Sequence, residues 1–369
     1  MNIERLINEF IEMVQIPSLS LKEKEFSNVL INKLKELGME VYVDNAGEKC
    51  GGNTGNVIAK LKGTANVPPV LFGAHMDTVT PGEKIKPQIK DGVIYSDGTT
   101  ILGADDKAGI AAILEAIRHI KENNIPHGDI ELAFTIAEEG GLYGAKYLDY
   151  SKISSKTAFI LDSSGEIGDV IIQGPAQMKI YTTIKGRAAH AGVSPESGIS
   201  AIQVAARAVN SMKLLRIDEE TTANVGVITG GTATNIVCDS VYMRFEARSL
   251  KKEKAEAQIQ HMVECIENAC RDFSTTADIE IEHSYPAFKV EADTDIIKLV
   301  DSAVKNIGMT PQYRSTGGGS DTNVFNGNGI SAVTLAIGMN NVHTTNENIA
   351  INSIVKSAEL VAAIIQQMI

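Results

Sequence analysis

The feature that most constrains this fold is an apolar run that ends in a histidine and an aspartate. Residues 70–79 read VLFGAHMDTV, and a run of Val, Leu and Phe is typical of a strand buried in a parallel sheet. His75 and Asp77 follow at the predicted carboxyl end, where open α/β sheets place their chemistry. Side chains two residues apart share a face, so the imidazole can bind a metal while the carboxylate holds it in place. A His-x-Asp pair alone is weak evidence, so its meaning depends on ligands from other strands.

Acidic residues follow two more predicted strands. Residues 130–136 and 157–161 are apolar runs of the same kind, and Glu138 and Glu139 follow the first while Asp162 follows the second. Adjacent glutamates repel one another unless a cation separates their tasks. Because the carboxyl ends of parallel strands meet at one edge of a sheet, we expect these acids to gather beside the histidine.

A predicted helix that starts between the first two strands adds another acid. Residues 102–109 read LGADDKAG and lead into a long apolar helix face at residues 110–120. One acid at this point can be a helix cap, which stabilises a helix by about 0.5–2 kcal/mol. A cap needs only one acid, so the pair Asp105 and Asp106 indicates a second task.

The order of predicted elements divides the chain into two domains. Two helices open the chain, at 1–14 and 21–38, with Ser18 and Ser20 as candidate caps. From about residue 178 the pattern becomes βαββαβ, the ferredoxin-like unit. At 369 residues the chain is long enough for two cores. We predict an α/β domain with a mostly parallel central sheet, and a ferredoxin-like domain inserted into it. The predicted bounds are 1–176 and 287–369 for the first domain and 177–286 for the inserted domain.

Composition excludes several kinds of protein. A net charge of −12 argues against nucleic acid or an anionic membrane surface as the main partner. No apolar run approaches the roughly 20 residues that span a bilayer, and residues 1–15 predict an acidic amphipathic helix rather than a signal peptide. Four cysteines without CxxC spacing are expected to stay reduced. We therefore predict a cytoplasmic protein. Its excess of acidic residues is explained equally well by carboxylates that bind cations and by solvated surface charge.

The motifs point to a known family. Imidazole and carboxylate ligands suit zinc, cobalt or manganese, and two such ions roughly 3.5 Å apart need a bridging carboxylate. GAHMDTV, GADDKAG and AEEGG, in this order and spacing, closely resemble the M20 family of metallopeptidases, in its peptidase T branch of tripeptide aminopeptidases. The resemblance covers essentially the whole chain. It implies two divalent metal ions, zinc in the first place with cobalt or manganese as alternatives.

The resemblance also implies how the ligands are divided. Asp105 would bridge the two ions, and the peptide bond that follows it, Asp105-Asp106, would be cis as in other family members. One site would be completed by His75 and Asp162, and the other by Glu139 and His343.

Two further residues would act on the centre without binding it. By the same resemblance, Asp77 would hydrogen-bond the far nitrogen of His75, which raises its basicity and fixes its tautomer. Glu138 would take a proton from the attacking water and deliver it to the leaving amine.

The resemblance further implies that the first domain is a zinc-peptidase-like catalytic domain and that the inserted one is a lid and dimerisation domain, which would supply substrate contacts. In the motif GRAAHAG, His190 would stabilise the oxyanion, and in dimeric relatives it does so from the second subunit. The chain is accordingly expected to form a homodimer through this domain. His190 could instead be a solvated loop residue, and Arg248 could pair with Glu246 or another acid of the inserted domain rather than with substrate. The residues that match substrate-binding positions are Asn235, Arg248, Gly318, Gly319 and Ser320.

Three functions remain open at this stage. The leading one is a dizinc aminopeptidase that hydrolyses the N-terminal peptide bond of short peptides, above all tripeptides. An amidohydrolase or deacylase of N-acyl amino acids would share the scaffold and metals, and the substrate's free α-amine separates the two. A non-catalytic peptide-binding protein on the same fold is the rival from another class, and the intact ligand set and Glu138 argue against it.

Overall fold

Helices and strands alternate along the chain, of which a computed structural model describes residues 1–369. The helices are α1 Ile3–Gln15, α2 Lys24–Glu36, α3 Ala46–Cys50, α4 Ala104–Glu122, α5 Tyr143–Tyr147, α6 Ala201–Ser211, α7 Lys252–Asp272, α8 Asp295–Asn306, α9 Asp321–Gly327 and α10 Ile351–Gln367. The strands are β1 Glu40–Val43, β2 Val57–Leu61, β3 Val70–His75, β4 Gln88–Lys90, β5 Val93–Tyr95, β6 Ile130–Thr135, β7 Thr157–Ser163, β8 Asp169–Gly174, β9 Ala176–Lys185, β10 Leu215–Arg216, β11 Thr221–Gly230, β12 Ser240–Ser249, β13 Ala277–Tyr285, β14 Phe288–Lys289, β15 Gln312–Ser315, β16 Ser331–Ala336, β17 Met339–Asn340 and β18 Asn348–Ala350. Short 3₁₀ helices lie at Tyr150–Lys152 and Pro195–Ser197.

These elements form two units. The large unit comprises Met1–Ile172, Lys289–Ser315 and Ser320–Ile369, and the small unit comprises Gln173–Phe288 and Thr316–Gly319. The sequence predicted one domain at 1–176 and 287–369 and a second at 177–286. That these two parts are separate folding domains stays a proposal.

The central sheet has the order β1-β2-β6-β3-β7-β16-β8-β14, with β15 paired to β8. At its centre β3 runs parallel to both β6 and β7, and β16 runs parallel to β7. Every residue of β3 and β6 is buried, as expected for strands covered on both faces. The predicted α/β class with a mostly parallel central sheet is therefore confirmed.

Helix α4 joins the central sheet of the large unit to its neighbouring helices. Helix α4 packs on β3, β7, α1 and α10. Its apolar residues are fully buried, which explains the long apolar face seen in the sequence. A separate sheet of order β17-β18-β5-β4 holds the segment that precedes α10.

The small unit is a five-stranded antiparallel sheet of order β10-β11-β12-β9-β13. Helices α6 and α7 cover one face, where alternate residues such as Ile180 and Met243 are fully buried. The four long strands are arranged as in a ferredoxin-like unit, so this prediction is confirmed. Strand β13 pairs only with β9 and forms an edge of the sheet.

Several elements differ from the sequence-based expectation. Strand β8 and helix α9 were not predicted, and neither Ser18 nor Ser20 caps α2, whose N-cap is Glu23 with no side-chain bond. Ser20 instead donates to the Asp77 carboxylate. This contact arises because the segment around Leu19 pairs with Thr78, just after β3. No helix is long and apolar enough to cross a membrane. All four cysteines are free thiols; three are buried, while Cys50 is half-buried.

Candidate metal centre

The predicted ligands of the large unit come from the ends of its central strands. His75 is the last residue of β3, Asp162 lies near the end of β7, and Glu139 follows β6. Because β6, β3 and β7 are parallel neighbours, their carboxyl ends share one edge of the sheet. Asp105 is the second residue of α4, and His343 lies between β17 and β18.

One group of candidate ligands consists of His75, Asp105 and Asp162. One nitrogen or oxygen from each lies within 4.8 Å of the others. His75 Nε2 is 3.0 Å from Asp105 Oδ1 and 3.7 Å from Asp162 Oδ1. This group is almost wholly shielded from solvent, with His75 only 2% exposed.

A second group, Asp105, Glu139 and His343, shares one member with the first. Its ligand atoms also lie within 4.8 Å of one another. His343 Nε2 is 2.7 Å from Glu139 Oε1 and 3.3 Å from Asp105 Oδ2. The two oxygens of Asp105 thus face two different histidines, an arrangement suited to a carboxylate that bridges two ions.

The donor set fits divalent cations of the zinc type. It offers two imidazole nitrogens and carboxylate oxygens, the ligands that such ions take in hydrolases. Burial raises the pKa of Glu138 well above its usual range, and the nearby Asp162 adds to this rise. Hydrogen bonds with Asp105 and Glu139 raise the pKa of His343 to about 10. The cluster therefore carries a surplus of negative charge, which divalent ions would neutralise. The peptide bond between Asp105 and Asp106 is cis, as expected.

Asp77 lies beside His75 and also holds the turn that follows β6. His75 Nδ1 donates to the backbone carbonyl of Asp77 at 2.9 Å, and the Asp77 carboxylate lies 3.5 Å from the same nitrogen. The carboxylate also accepts the N–H groups of Glu138 at 2.8 Å and Glu139 at 3.2 Å. The carbonyl thus sets the tautomer of His75 with Nε2 facing the cluster, and the role of the Asp77 side chain toward His75 stays a prediction.

Residues that the sequence analysis passed over support the same turn. Ser20 donates to the Asp77 carboxylate at 2.5 Å. Glu23 is fully buried and accepts the N–H of Ala137 at 3.0 Å, one residue before Glu138. Burial, with a further contribution from Asp77, raises the pKa of Glu23 to about 7. Nothing in the local sequence marks Glu23, since it follows no strand and belongs to no motif.

Asp321 is a second acid that the sequence analysis did not single out. It is 3% exposed at the start of α9, and Thr135 Oγ1 donates to its carboxylate at 2.5 Å. Burial raises the pKa of Asp321 to about 6. Its position directly after the glycine-rich loop was the available signal.

Glu138 lies among the ligands but in a different relation to the histidines. Its carboxylate is grouped with His75 and Glu139, within 4.8 Å, and the side chain is buried. His343 contacts Glu139, and the group that contains His343 does not include Glu138. The contact with His343 therefore distinguishes Glu139 from Glu138, and the roles of Glu139 as ligand and Glu138 as proton carrier stay predictions.

The remaining predicted residues, Ser320 excepted, lie in the small unit. His190 is exposed, and its Nδ1 accepts the N–H of Gly192 at 3.1 Å. The Ala191 N–H donates to the carbonyl of Asn235 at 2.9 Å, so the segments carrying His190 and Asn235 are adjacent. Their substrate-binding and catalytic roles stay predictions.

Arg248 has an intramolecular partner. Its Nε and Nη2 donate to the two oxygens of Glu246 at 3.0 and 3.1 Å, which is the pairing that the sequence analysis kept as the alternative. Nη1 contacts the carbonyl of Gly317 at 3.4 Å. Glu246 therefore orients the guanidinium, and one nitrogen remains directed at the glycine-rich loop.

The glycine-rich loop is tightly restricted. The Gly318 N–H donates to Thr316 Oγ1 at 3.0 Å. A Cβ on Gly319 would lie 2.2 Å from the ring of Tyr285, so no larger residue fits without displacing the ring. Ser320 belongs to the large unit and is the N-cap of α9.

Comparison with known proteins gives consistent results. The family described as peptidase family M20/M25/M40 matches residues 71–367. The crystal structure of aminopeptidase PepT from Bacillus cereus is 49% identical, with a TM-score of 0.92, and the match covers 100% of this chain and 99% of that one. A tripeptidase structure from Staphylococcus aureus is 41% identical, with a TM-score of 0.96 and the same coverage. Peptidase T of Geobacillus kaustophilus is 28% identical over 93% of this chain and 90% of its own length.

Proposed function

The chain belongs to peptidase family M20/M25/M40, and from this we propose that it is a metallo-aminopeptidase that removes the N-terminal residue from short peptides, tripeptides in particular. The observation that carries the proposal is the pair of ligand groups that share Asp105. The similarity to an aminopeptidase and a tripeptidase at 49% and 41% identity supports the substrate class.

We propose that the centre holds two divalent ions, with zinc as the expected metal and cobalt or manganese as alternatives. His75, Asp105 and Asp162 would hold one ion, and Asp105, Glu139 and His343 the other. When bound, such ions supply Lewis acidity, which polarises the scissile carbonyl and lowers the pKa of water.

The protein's own groups would carry the proton and hold the geometry. Glu138 would take a proton from the attacking water and pass it to the leaving amine, a role suited to a buried carboxylate with a raised pKa. The Asp77 carboxylate accepts the N–H of Glu138 and so fixes the Glu138 backbone. The Glu138 carboxylate is therefore held at a defined place. His190 would stabilise the developing oxyanion, and this step rests on the motif resemblance alone.

Substrate contacts are proposed for the small unit and the adjoining loop. Asn235 and Arg248 would bind carbonyl or carboxylate groups of the peptide, and Glu246 pre-orients the Arg248 guanidinium for this task. Gly318, Gly319 and Ser320 would line the path of the peptide backbone. We further propose a cytoplasmic location, as the sequence predicted.

The function is tested by substrate competition. The protein reconstituted with zinc is expected to hydrolyse tri-alanine and to release its first residue, while N-acetyl-tri-alanine and N-acetyl-alanine are cleaved at least about 100-fold more slowly. The free α-amine should decide, since a site built to bind a polar group rejects analogues without it. Steady-state kcat/KM values measure this. Preferred cleavage of N-acetyl-alanine would support the deacylase instead, and tight peptide binding without turnover would support the binding protein.

A homodimer through the small unit is the proposed assembly. Strand β13 is an open edge and carries the 43% exposed Ile281, and open edges tend to pair. If His190 acts across such a dimer, mixing the inactive variants His190→Ala and Glu138→Ala should restore about a quarter of the wild-type activity. Half of the dimers would be hybrids, each with one complete site. Activity after mixing, with subunit exchange verified by mass spectrometry, is the measurement. A mixture that stays inactive, or a monomer by light scattering, contradicts the shared site.

A further inference from the structure

We propose that Glu347 is a positioning residue of the metal centre, because its carboxylate ties the backbone around Asp105 to the turn that carries His343. The inference deepens the proposed function and rests on the metal centre described above. Glu347 binds no metal in this proposal; it sets the separation of two ligands.

The first half of the tie is a set of three backbone hydrogen bonds. Glu347 Oε2 accepts the N–H groups of Leu102 at 2.7 Å and Gly103 at 2.8 Å, and Oε1 accepts the N–H of Asp105 at 3.0 Å. Glu347 is 1% exposed. A buried carboxylate that accepts several N–H groups makes strong, charge-assisted bonds, and their number fixes both oxygens.

The backbone around Asp105 needs such an anchor. Gly103 has φ 75°, and Asp105 has φ −82° and ψ 101°, so the first turn of α4 is not helical here. These N–H groups are buried at the start of a helix, where no helical carbonyl can accept them. Without the Glu347 oxygens these buried N–H groups would be unpaired, which is unfavourable. The direction of the Asp105 side chain therefore depends on a residue far away in the chain.

The second half of the tie is the short turn from Asn341 to Glu347. Thr344 Oγ1 donates to the carbonyl of Asn341 at 2.7 Å, and the Glu347 N–H donates to the carbonyl of Thr344 at 3.1 Å. His343 has φ 62°, a left-handed conformation that is uncommon for residues other than glycine. His343 itself is exposed, so this turn rather than packing positions its backbone.

Together the two halves couple the ligands that face each other across the second site. His343 Nε2 lies 3.3 Å from Asp105 Oδ2, and Glu347 connects the two backbones that carry them. Loss of the tie should thus weaken the ion bound by Asp105, Glu139 and His343. The ion bound through His75 and Asp162, which sit on β3 and β7, should be affected less.

Glu131 offers a matched control. It is also 1% exposed and also accepts backbone N–H groups, those of Ser154 and Ser155, at 2.8–3.1 Å. It lies on β6 near the start of the strand, at the end opposite to the candidate ligands. Glu131→Gln therefore reports the general cost of replacing a buried carboxylate that holds a loop.

The experiment compares Glu347→Gln, Glu347→Asp and Glu131→Gln with the wild-type chain. Metal-free protein is titrated with Zn²⁺ by calorimetry, and its thermal stability is measured before the metal is added. We expect Glu347→Gln to weaken one of two binding events by about 10- to 100-fold, the usual effect of losing a partner behind a ligand. Glu347→Asp keeps the charge but has a shorter side chain. Its affinity for Zn²⁺ should therefore lie between that of the wild-type chain and that of Glu347→Gln. Glu131→Gln should lower stability and leave both zinc affinities unchanged.

Each outcome decides something distinct. Two unchanged affinities in a folded Glu347→Gln overturn the proposal, and so does an equal loss in Glu131→Gln. If Glu347→Gln does not fold, Glu347→Asp decides in its place: a selective loss of one binding event supports the tie, and wild-type affinities overturn it. A wild-type chain that binds fewer than two zinc ions refutes the proposed metal centre itself rather than the role of Glu347.

Discussion

Glu138→Gln is expected to lower kcat by about 10²- to 10⁴-fold while both metal ions stay bound, because in the proposed mechanism this side chain moves a proton and ligates no ion. Gln keeps the shape of the side chain but cannot accept a proton. The Glu138 N–H still donates to Asp77, so the turn after β6 should keep its place. Steady-state kinetics on tri-alanine, together with metal analysis by mass spectrometry, measure the two halves of this result.

Glu139→Gln is the matched comparison, since the two residues are adjacent and share the same turn. Glu139 Oε1 contacts His343 Nε2 at 2.7 Å, so its loss should reduce metal content as well as activity. If Glu138→Gln lost a metal ion, or kept near-native activity, the roles of the two glutamates would have to be exchanged.

Asp105→Ala is expected to abolish activity and to reduce the metal content from two ions to fewer than one per chain. The reason is geometric, because Asp105 Oδ1 faces His75 and Oδ2 faces His343. Removing a bridging carboxylate takes one ligand from each ion at once. Metal content after dialysis against a fixed low concentration of free zinc is the measurement.

Asp162→Ala serves as the comparison for the bridge. Asp162 is a member of the group with His75 but not of the group with His343. Its removal should weaken one ion and leave the other in place. An Asp105→Ala variant that loses only one ion, as Asp162→Ala should, would show that Asp105 does not bridge.

The sequence anticipated most of the large unit because its strands are strongly patterned. The apolar runs that became β3, β6 and β7 are buried along nearly their whole length, and strands of this kind read clearly. Helix α9 and strand β8 were missed because both are short and lie beside glycines. Helix α9 is only Asp321–Gly327 and follows a glycine-rich loop, and β8 is a short Val-Ile-Ile run between glycines.

The sequence by itself determined which residues can reach the metal centre. His75, Glu139 and Asp162 lie at or just past the ends of strands that the parallel order brings to one edge, and the alternation of side chains along a strand indicates which face they share. Chain order and strand parity are local properties, so they can be deduced without coordinates.

Only the tertiary structure decided which hydrogen bonds hold these residues. It brought the Asp77 carboxylate to the N–H groups of the Glu138–Glu139 turn, and it placed Glu347 against Leu102 across a separation of 245 residues. Such bonds depend on differences of a few tenths of an ångström in the donor–acceptor distance and on the directions of individual N–H groups. The position of Leu102 against Glu347, for example, depends on how α4 packs on β3, β7 and α10, and no local pattern in the chain encodes this packing.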